Sequence, residues 1–210
     1  MQPFTRVTGI AVAMLDDDMN TDQIAPLQMA RVLQPDYADL LFKRQRVHAD
    51  GSRDPAHILN QERFRNPTVF VGGRNFGCGS SREAAVWCLA AIGVRCVSAR
   101  SLADLFRENC LQNGVLPIEL DDTRASELER RVIEADGHAA FTVDLERQII
   151  AGPGGPDIAF EISASDRMRL IEGLDDIGFS LKHRAEIEAW EHRTRETMPW
   201  LQAADDERLS

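Results

Sequence analysis

TVFVGGRNFGCGSSREAAVWCLAAIGVRCVSA, residues 68–99, decides how this chain folds. "TVFVGG" is a short apolar strand stopped by a glycine pair. Residues 81–92 read as a helix that is apolar nearly all round, a pattern that predicts burial. "VRCVSA" is the next strand. Downstream, "SLADLFRENC" (101–110) is a helix with Ser101 as its N-cap, and "GVLPIEL" (114–120) is a strand that Pro117 pushes to a sheet edge. Strand, helix, strand, helix, strand in succession predicts a parallel α/β unit.

Working outward, Val7–Leu15 tempts a leader-peptide reading because Arg6 precedes it. The run is short, contains Thr8 and Gly9, and drops into Asp16–Asp18, so it reads as a first strand. Asp16–Asp18 is expected to be a solvated turn. Residues 27–66 are irregular, with Pro35, Gly51 and Pro55, and their one basic cluster, "FKRQRVHAD" (42–50), reads as a solvated face. Beyond the α/β unit, "DTRASELERRVIEADG" (122–137) is an amphipathic helix closed by Gly137, and "AFTVDLERQIIA" (140–151) is a hairpin folded at Leu145–Arg147. "GPGGP" (152–156) is a turn, "SASDRMRLIEGLDDIG" (163–178) a short helix closed by glycine, and 183–196 a charged helix carrying exposed His183 and His192. The expected organisation is one domain over 1–200 with a helical C-terminal extension, and a frayed tail over 201–210.

The 210 residues carry 34 acidic and 24 basic side chains, for a formal charge of −10. That excess argues against a nucleic-acid surface, which needs clustered Lys and Arg. The longest apolar run, Ala84–Val94, falls short of the roughly 20 residues needed to span a bilayer. Cys78, Cys88, Cys96 and Cys110 are widely spaced with no C-x-x-C pair, which predicts reduced thiols in a cytoplasmic chain and no metal site of its own. Trp87 and Cys88 are expected in the core.

Gly77–Arg82 invites several chemical readings. A phosphate-cradling G-x-x-x-x-G-K-[ST] loop fails because Cys78 stands where Lys is required. The dinucleotide fingerprint fails because Arg82 replaces the third glycine, and G-x-S-x-G is absent. Two compatible readings stay open. Ser80 and Glu83 fit the capping box S-x-x-E, with Ser80 at the N-cap. Alternatively, Ser80 lies at an electropositive helix tip that stabilises an alkoxide, while Arg82 grips a carboxylate.

Asn75-Phe76-Gly77-Cys78-Gly79-Ser80-Ser81-Arg82-Glu83, together with Thr21-Asp22-x-Ile24-x-Pro26, resembles the 3-isopropylmalate dehydratase small-subunit family, which corresponds to the swivelling domain of aconitase. The resemblance runs from about residue 5 to 195. It implies an α/β swivelling domain of β/β/α type, with a mixed sheet core flanked by helices. It implies a hydro-lyase of leucine biosynthesis that dehydrates 2-isopropylmalate and rehydrates the alkene to 3-isopropylmalate. By the same resemblance Ser80 is the catalytic base; Ser81 and Arg82 bind a substrate carboxylate; and Asp22, Thr21 and Asn75 complete the polar site. A [4Fe–4S] cluster held by a large partner subunit supplies the Lewis acid, with none bound by this chain. The substrate is a small hydroxy diacid; neither nucleic acid nor membrane is a partner. Ala84 and Val86 stand where most relatives carry His and Pro, and the usual "DWR" is replaced by Lys43-Arg44-Gln45-Arg46. Citramalate, dimethylmalate and homoaconitate are therefore alternative substrates, and a non-catalytic carboxylate-binding paralogue is the alternative role.

Overall fold

A seven-stranded sheet is organised around its first and longest strand. The computed structural model describes residues 1–29 and 35–201. Strand β1 (Arg6–Met14) divides its length between two partners. Its carboxyl half, Ala11–Met14, pairs in parallel with β2 (Val69–Gly72). Its amino half, Arg6–Ile10, pairs antiparallel with β5 (Ala140–Asp144). Strands β3 (Cys96–Ala99) and β4 (Leu116–Glu119) extend the parallel side, and β6 (Ile149–Ala151) and β7 (Ile158–Ala159) extend the antiparallel side. The order is β4-β3-β2-β1-β5-β6-β7. The expected parallel unit and hairpin thus belong to one mixed sheet, and β4, with Pro117, lies at its edge as a strand lacking one donor must.

Alternation along the strands builds two cores. Val12, Phe70 and Val97 face one side, where they meet α4 (Ala84–Ala91) and α5 (Asp104–Gln112). Ala11, Val69, Val71, Cys96 and Leu116 face the other, under α6 (Asp122–Ala135). Burial on both faces is what an apolar run such as "VFVG" requires. Helix α7 (Ala164–Glu172) closes on Gly173 in the left-handed region, as expected of a terminal glycine. Three short helices are α1 (Thr21–Ile24), just before the irregular segment, and α2 (Tyr37–Leu40) and α3 (Lys43–Arg46) within it.

The chain divides into two compact units, the first being Met1–Gly173 and the second beginning at Leu174. The second contains α8 (Asp176–Leu181) and α9 (Arg184–Thr197), and its His183 and His192 are exposed. Of the expected frayed tail, residues 202–210 lie outside the described residues. Among the described residues, no helix is long and apolar enough to cross a membrane.

Four local expectations are corrected. Helix α4 begins at Ala84, with Glu83 as an N-cap that makes no side-chain cap bond, so Ser80 caps nothing. The Glu83 carboxylate instead accepts from Asn113 Nδ2 at 2.8 Å, which removes the reciprocal half of the predicted box. A capping box does form, at Asn20–Gln23: Asn20 Oδ1 accepts from the Gln23 amide at 2.9 Å, and Gln23 Oε1 accepts from the Asn20 amide at 2.8 Å. Helix α5 has Ala103 as its N-cap, because Ser101 Oγ is spent on the amide of Asn75 at 2.8 Å.

The other two corrections concern burial. Trp87 is 38% exposed, edge-on to Tyr37, with its indole N–H donating to Asn113 Oδ1 at 3.1 Å. Arg46 leaves the supposed solvated face and is only 7% exposed, donating to the carbonyls of Ala38 and Leu41 and to Asn60 Oδ1. Its charge is offset by fixed carbonyl dipoles, a pattern that a count of basic residues does not reveal.

Candidate functional site

The loop 73–83 leaves the carboxyl end of β2, and the segment 15–22 leaves the carboxyl end of the adjacent parallel strand β1. Crevices outside the carboxyl ends of parallel strands are where open α/β sheets bind ligands. The two segments are laced together step by step. Asp17 Oδ1 accepts from the Arg74 amide at 2.7 Å, and the Arg74 carbonyl accepts from the Asp18 amide at 2.9 Å. Asn75 Nδ2 donates to Asp18 Oδ1 at 2.7 Å. The Gly77 amide donates to the Met19 carbonyl at 2.8 Å, and the Thr21 amide to the Cys78 carbonyl at 2.9 Å. The turn after β3 joins from the other side, the Ser101 carbonyl accepting from the Phe76 amide at 3.1 Å.

Two glycines make this path possible. Gly77 (φ +79°) and Gly79 (φ +90°) occupy the left-handed region, which side-chain-bearing residues avoid. The loop also presses down on the core: Phe76 is fully buried and packs against Phe70 and Phe106, each at 5.3 Å between ring centroids. Anchoring by a buried aromatic on one side and amide-to-carbonyl bonds on the other holds residues 78–82 at the surface.

The structure brings all six sequence-predicted site residues into this laced region, in different roles. Ser80 and Ser81 are exposed, and among the described residues neither hydroxyl has a hydrogen-bond partner, so both are available to a ligand. Arg82 pairs with Asp22, their side chains 28% and 38% exposed. Thr21 is only 2% exposed, and its hydroxyl donates to the Ser80 carbonyl at 2.9 Å. It holds the backbone of Ser80 rather than presenting a hydroxyl to solvent. Asn75 stands on the outer side of the loop, its amide group engaged by Asp18.

Asp16–Asp18 is thus more than a solvated turn, since Asp17 and Asp18 accept from the loop. Sequence reasoning also missed Gln28, whose Nε2 donates to Asp22 Oδ1 at 2.8 Å while its Oε1 accepts from Arg44 at 3.4 Å. It missed Ser101 as well. The alternation of Asx, Thr and acidic residues through 16–22 was the signal for a loop-clasping segment; Gln28 gave no local sign.

The cysteines are poor candidates for a cluster. Cys88, Cys96 and Cys110 are buried, and burial pushes the Cys88 thiol up to about 12 and holds the other two well above the ordinary range. Cys78, in the loop, is also raised by burial and by the nearby Asp18 charge. Cluster ligation needs thiolates converging on one point. Among the described residues, no three His, Cys, Asp or Glu side chains gather to hold a metal ion.

Known proteins resemble this chain along most of its length. The Aconitase C-terminal domain family matches residues 1–123. The family of the C-terminal domain of the 3-isopropylmalate dehydratase small subunit matches residues 176–204. The chain is 43% identical over 194 residues to the 3-isopropylmalate dehydratase small subunit of Gluconobacter oxydans, covering 92% of this chain and 93% of that one. It is 41% identical over 202 residues to the protein of the same name from Dinoroseobacter shibae, covering 96% and 100%. The crystal structure of 3-isopropylmalate dehydratase (leuD) from Methanocaldococcus jannaschii superposes with a TM-score of 0.62 at 25% identity, over 89% of this chain and 99% of that one. A serine–serine–arginine loop clasped at the strand ends, in a chain matched nearly end to end by these relatives, places the protein in the 3-isopropylmalate dehydratase small-subunit family.

Proposed function

We propose that this chain is the small subunit of a heteromeric hydro-lyase that interconverts 2-isopropylmalate and 3-isopropylmalate in leucine biosynthesis. The full-length identity to proteins bearing that name supports the reaction class. The observation that carries the site assignment is the clasped loop: two free serine hydroxyls beside a guanidinium, at the carboxyl ends of β1 and β2. All four cysteines are free, which fits a reducing cytoplasmic setting.

Dehydration needs a base to take a proton from the carbon next to a carboxylate, and a cation to hold that carboxylate. In this reading Ser80, as its alkoxide, takes the proton and becomes the neutral hydroxyl, and Arg82 holds the acid group, with Ser81 donating to the same carboxylate. The helix-tip explanation for a basic Ser80 does not apply, because α4 starts only at Ala84. What this chain supplies to Ser80 is position. Thr21 fixes its carbonyl, and Gly79 lets the backbone turn there. Asp22 keeps Arg82 aimed along the loop, and an incoming carboxylate either shares that guanidinium or displaces Asp22. The residues present do not fit an iron–sulfur cluster, so that cofactor is assigned to a large partner subunit, and the site is complete only in the assembly.

The test is reconstitution. Co-expressed with its large subunit and purified without oxygen, the complex is expected to convert 2-isopropylmalate in preference to citramalate, dimethylmalate and homoaconitate, while the isolated chain turns over none of them. Preference for another diacid overturns the substrate assignment.

The Thr21 contact makes a separate prediction. Thr21→Val keeps the shape and deletes the donor to the Ser80 carbonyl. A misplacement of the reacting group by an ångström costs up to about 100-fold. The expected result is a kcat lower by about 10- to 100-fold with KM nearly unchanged, restored by Thr21→Ser. A KM effect with normal kcat makes Thr21 a substrate contact instead.

A further inference from the structure

The first unit contains a cavity that the proposed reaction does not use. It measures about 280 Å³ and is lined by residues of α2, α3, the hairpin turn after α3 and the approach to β2. Ile92, just past the end of α4, lines it, whereas Ser80–Arg82 precede the start of the same helix. An eight-residue helix separates the two places by about 12 Å of axial rise. The size falls just below the range of drug-sized ligand sites, which starts at about 300 Å³, and suits a smaller molecule.

The charges around the cavity are unevenly satisfied. Asp39 is paired with Lys43 at 2.7 Å, and Asp36 Oδ1 accepts from the amides of Ala38 and Asp39. Arg65 is paired with Glu62 at 2.9 Å. That leaves Arg46 and Arg53. The backbone brings them together, since Val47 and Arg53 form a β-bridge and the Asp54 amide donates to the Arg46 carbonyl at 2.9 Å. Among the described residues, neither guanidinium forms an ion pair. Arg46 donates through Nε and Nη1 only to neutral oxygens, and its Nη2 donates to none. Burial and then the facing Arg53 charge pull Arg46 below its ordinary pKa, and Asp39, itself paired with Lys43, offsets only part of this, so an anion between the two guanidiniums still relieves a repulsion. Four apolar residues, Leu59, Phe64, Pro67 and Ile92, also line the cavity.

We propose that this cavity binds a small carboxylate, its acid group held by Arg46 and Arg53 and its hydrocarbon end packed against the apolar lining residues. Two guanidiniums suit a planar two-oxygen group, and four apolar neighbours favour a branched chain over a bare oxyanion. The site is separate from the Ser80 loop and does not depend on the reaction assigned to it.

The experiment titrates 3-methylbutanoate into the full chain by calorimetry and by amide shifts, with acetate and inorganic phosphate as comparison probes. Saturable binding is expected, with shifts at 53, 59, 64–67 and 92 rather than at 77–83, and with acetate and phosphate each at least about tenfold weaker. Arg53 is exposed, so Arg53→Gln is expected to keep the melting temperature while weakening 3-methylbutanoate by about tenfold or more. Absence of saturation, shifts confined to the Ser80 loop, equal affinity for phosphate, or an unchanged affinity in folded Arg53→Gln each overturn the proposal.

Discussion

Ser80→Ala is expected to abolish turnover in the assembled enzyme while leaving this chain folded. The side chain is exposed and its hydroxyl bonds to nothing among the described residues, so its removal costs little stability. Surface changes away from special features stay within about 0.5 kcal/mol. The contact that holds the loop, Thr21 Oγ1 to the Ser80 carbonyl, uses the backbone and survives the substitution. Loss of a positioned general base costs about 10²- to 10⁴-fold. The expected pair of results is an unchanged melting curve for the isolated chain and a kcat down by at least ~100-fold in the complex. A variant complex with activity within a few-fold of the parent removes Ser80 from the base role and returns the loop to a carboxylate grip alone.

Gly77→Ala is expected to act through the fold. Gly77 has φ +79°, and an added methyl group would meet the ring and Cβ of Phe106, the latter at 2.6 Å. Phe106 is 1% exposed and locked edge-on against Phe76, so it has nowhere to go. Overpacking costs about 1–3 kcal/mol and the left-handed backbone another 1–2 kcal/mol, giving about 2–5 kcal/mol in total. Urea denaturation of the isolated chain should show a midpoint lowered accordingly. Gly51 supplies the control: its φ is +87°, but nothing lies within 4 Å of a methyl group there. Gly51→Ala carries only the backbone part, about 1–2 kcal/mol. Equal midpoints for the two variants contradict the seating of the loop on Phe106.

The strand and helix order through 68–120 was legible because both signals are local. Apolar runs of four to six residues between glycine and proline breaks are strands, and a longer apolar run between them is a helix. The edge position of β4 followed from one residue, Pro117. The candidate site was legible in part, because glycine, serine and arginine at close spacing carry their chemistry in their identity. The capping errors share one cause. Ser80, Ser101 and Glu83 were assigned to their nearest helix ends, but each bonds to a partner more distant in the chain or to none. Ser101 serves Asn75, and Glu83 serves Asn113, 30 residues on. Polar side chains that can cap a helix can equally tie two loops, and only the competing partner decides.

What the amino-acid order determined alone was periodicity and chemical content: an α/β unit, a hairpin, and a loop bearing two hydroxyls and a guanidinium. What the tertiary structure decided was which backbone oxygens and amides those groups meet. It divided β1 between a parallel and an antiparallel neighbour, buried Arg46 among carbonyls, and set Asp17–Asp22 against residues 74–82. Periodicity is a property of consecutive residues and survives without a fold. A hydrogen bond between residues about sixty apart exists only after the strands that carry them have paired.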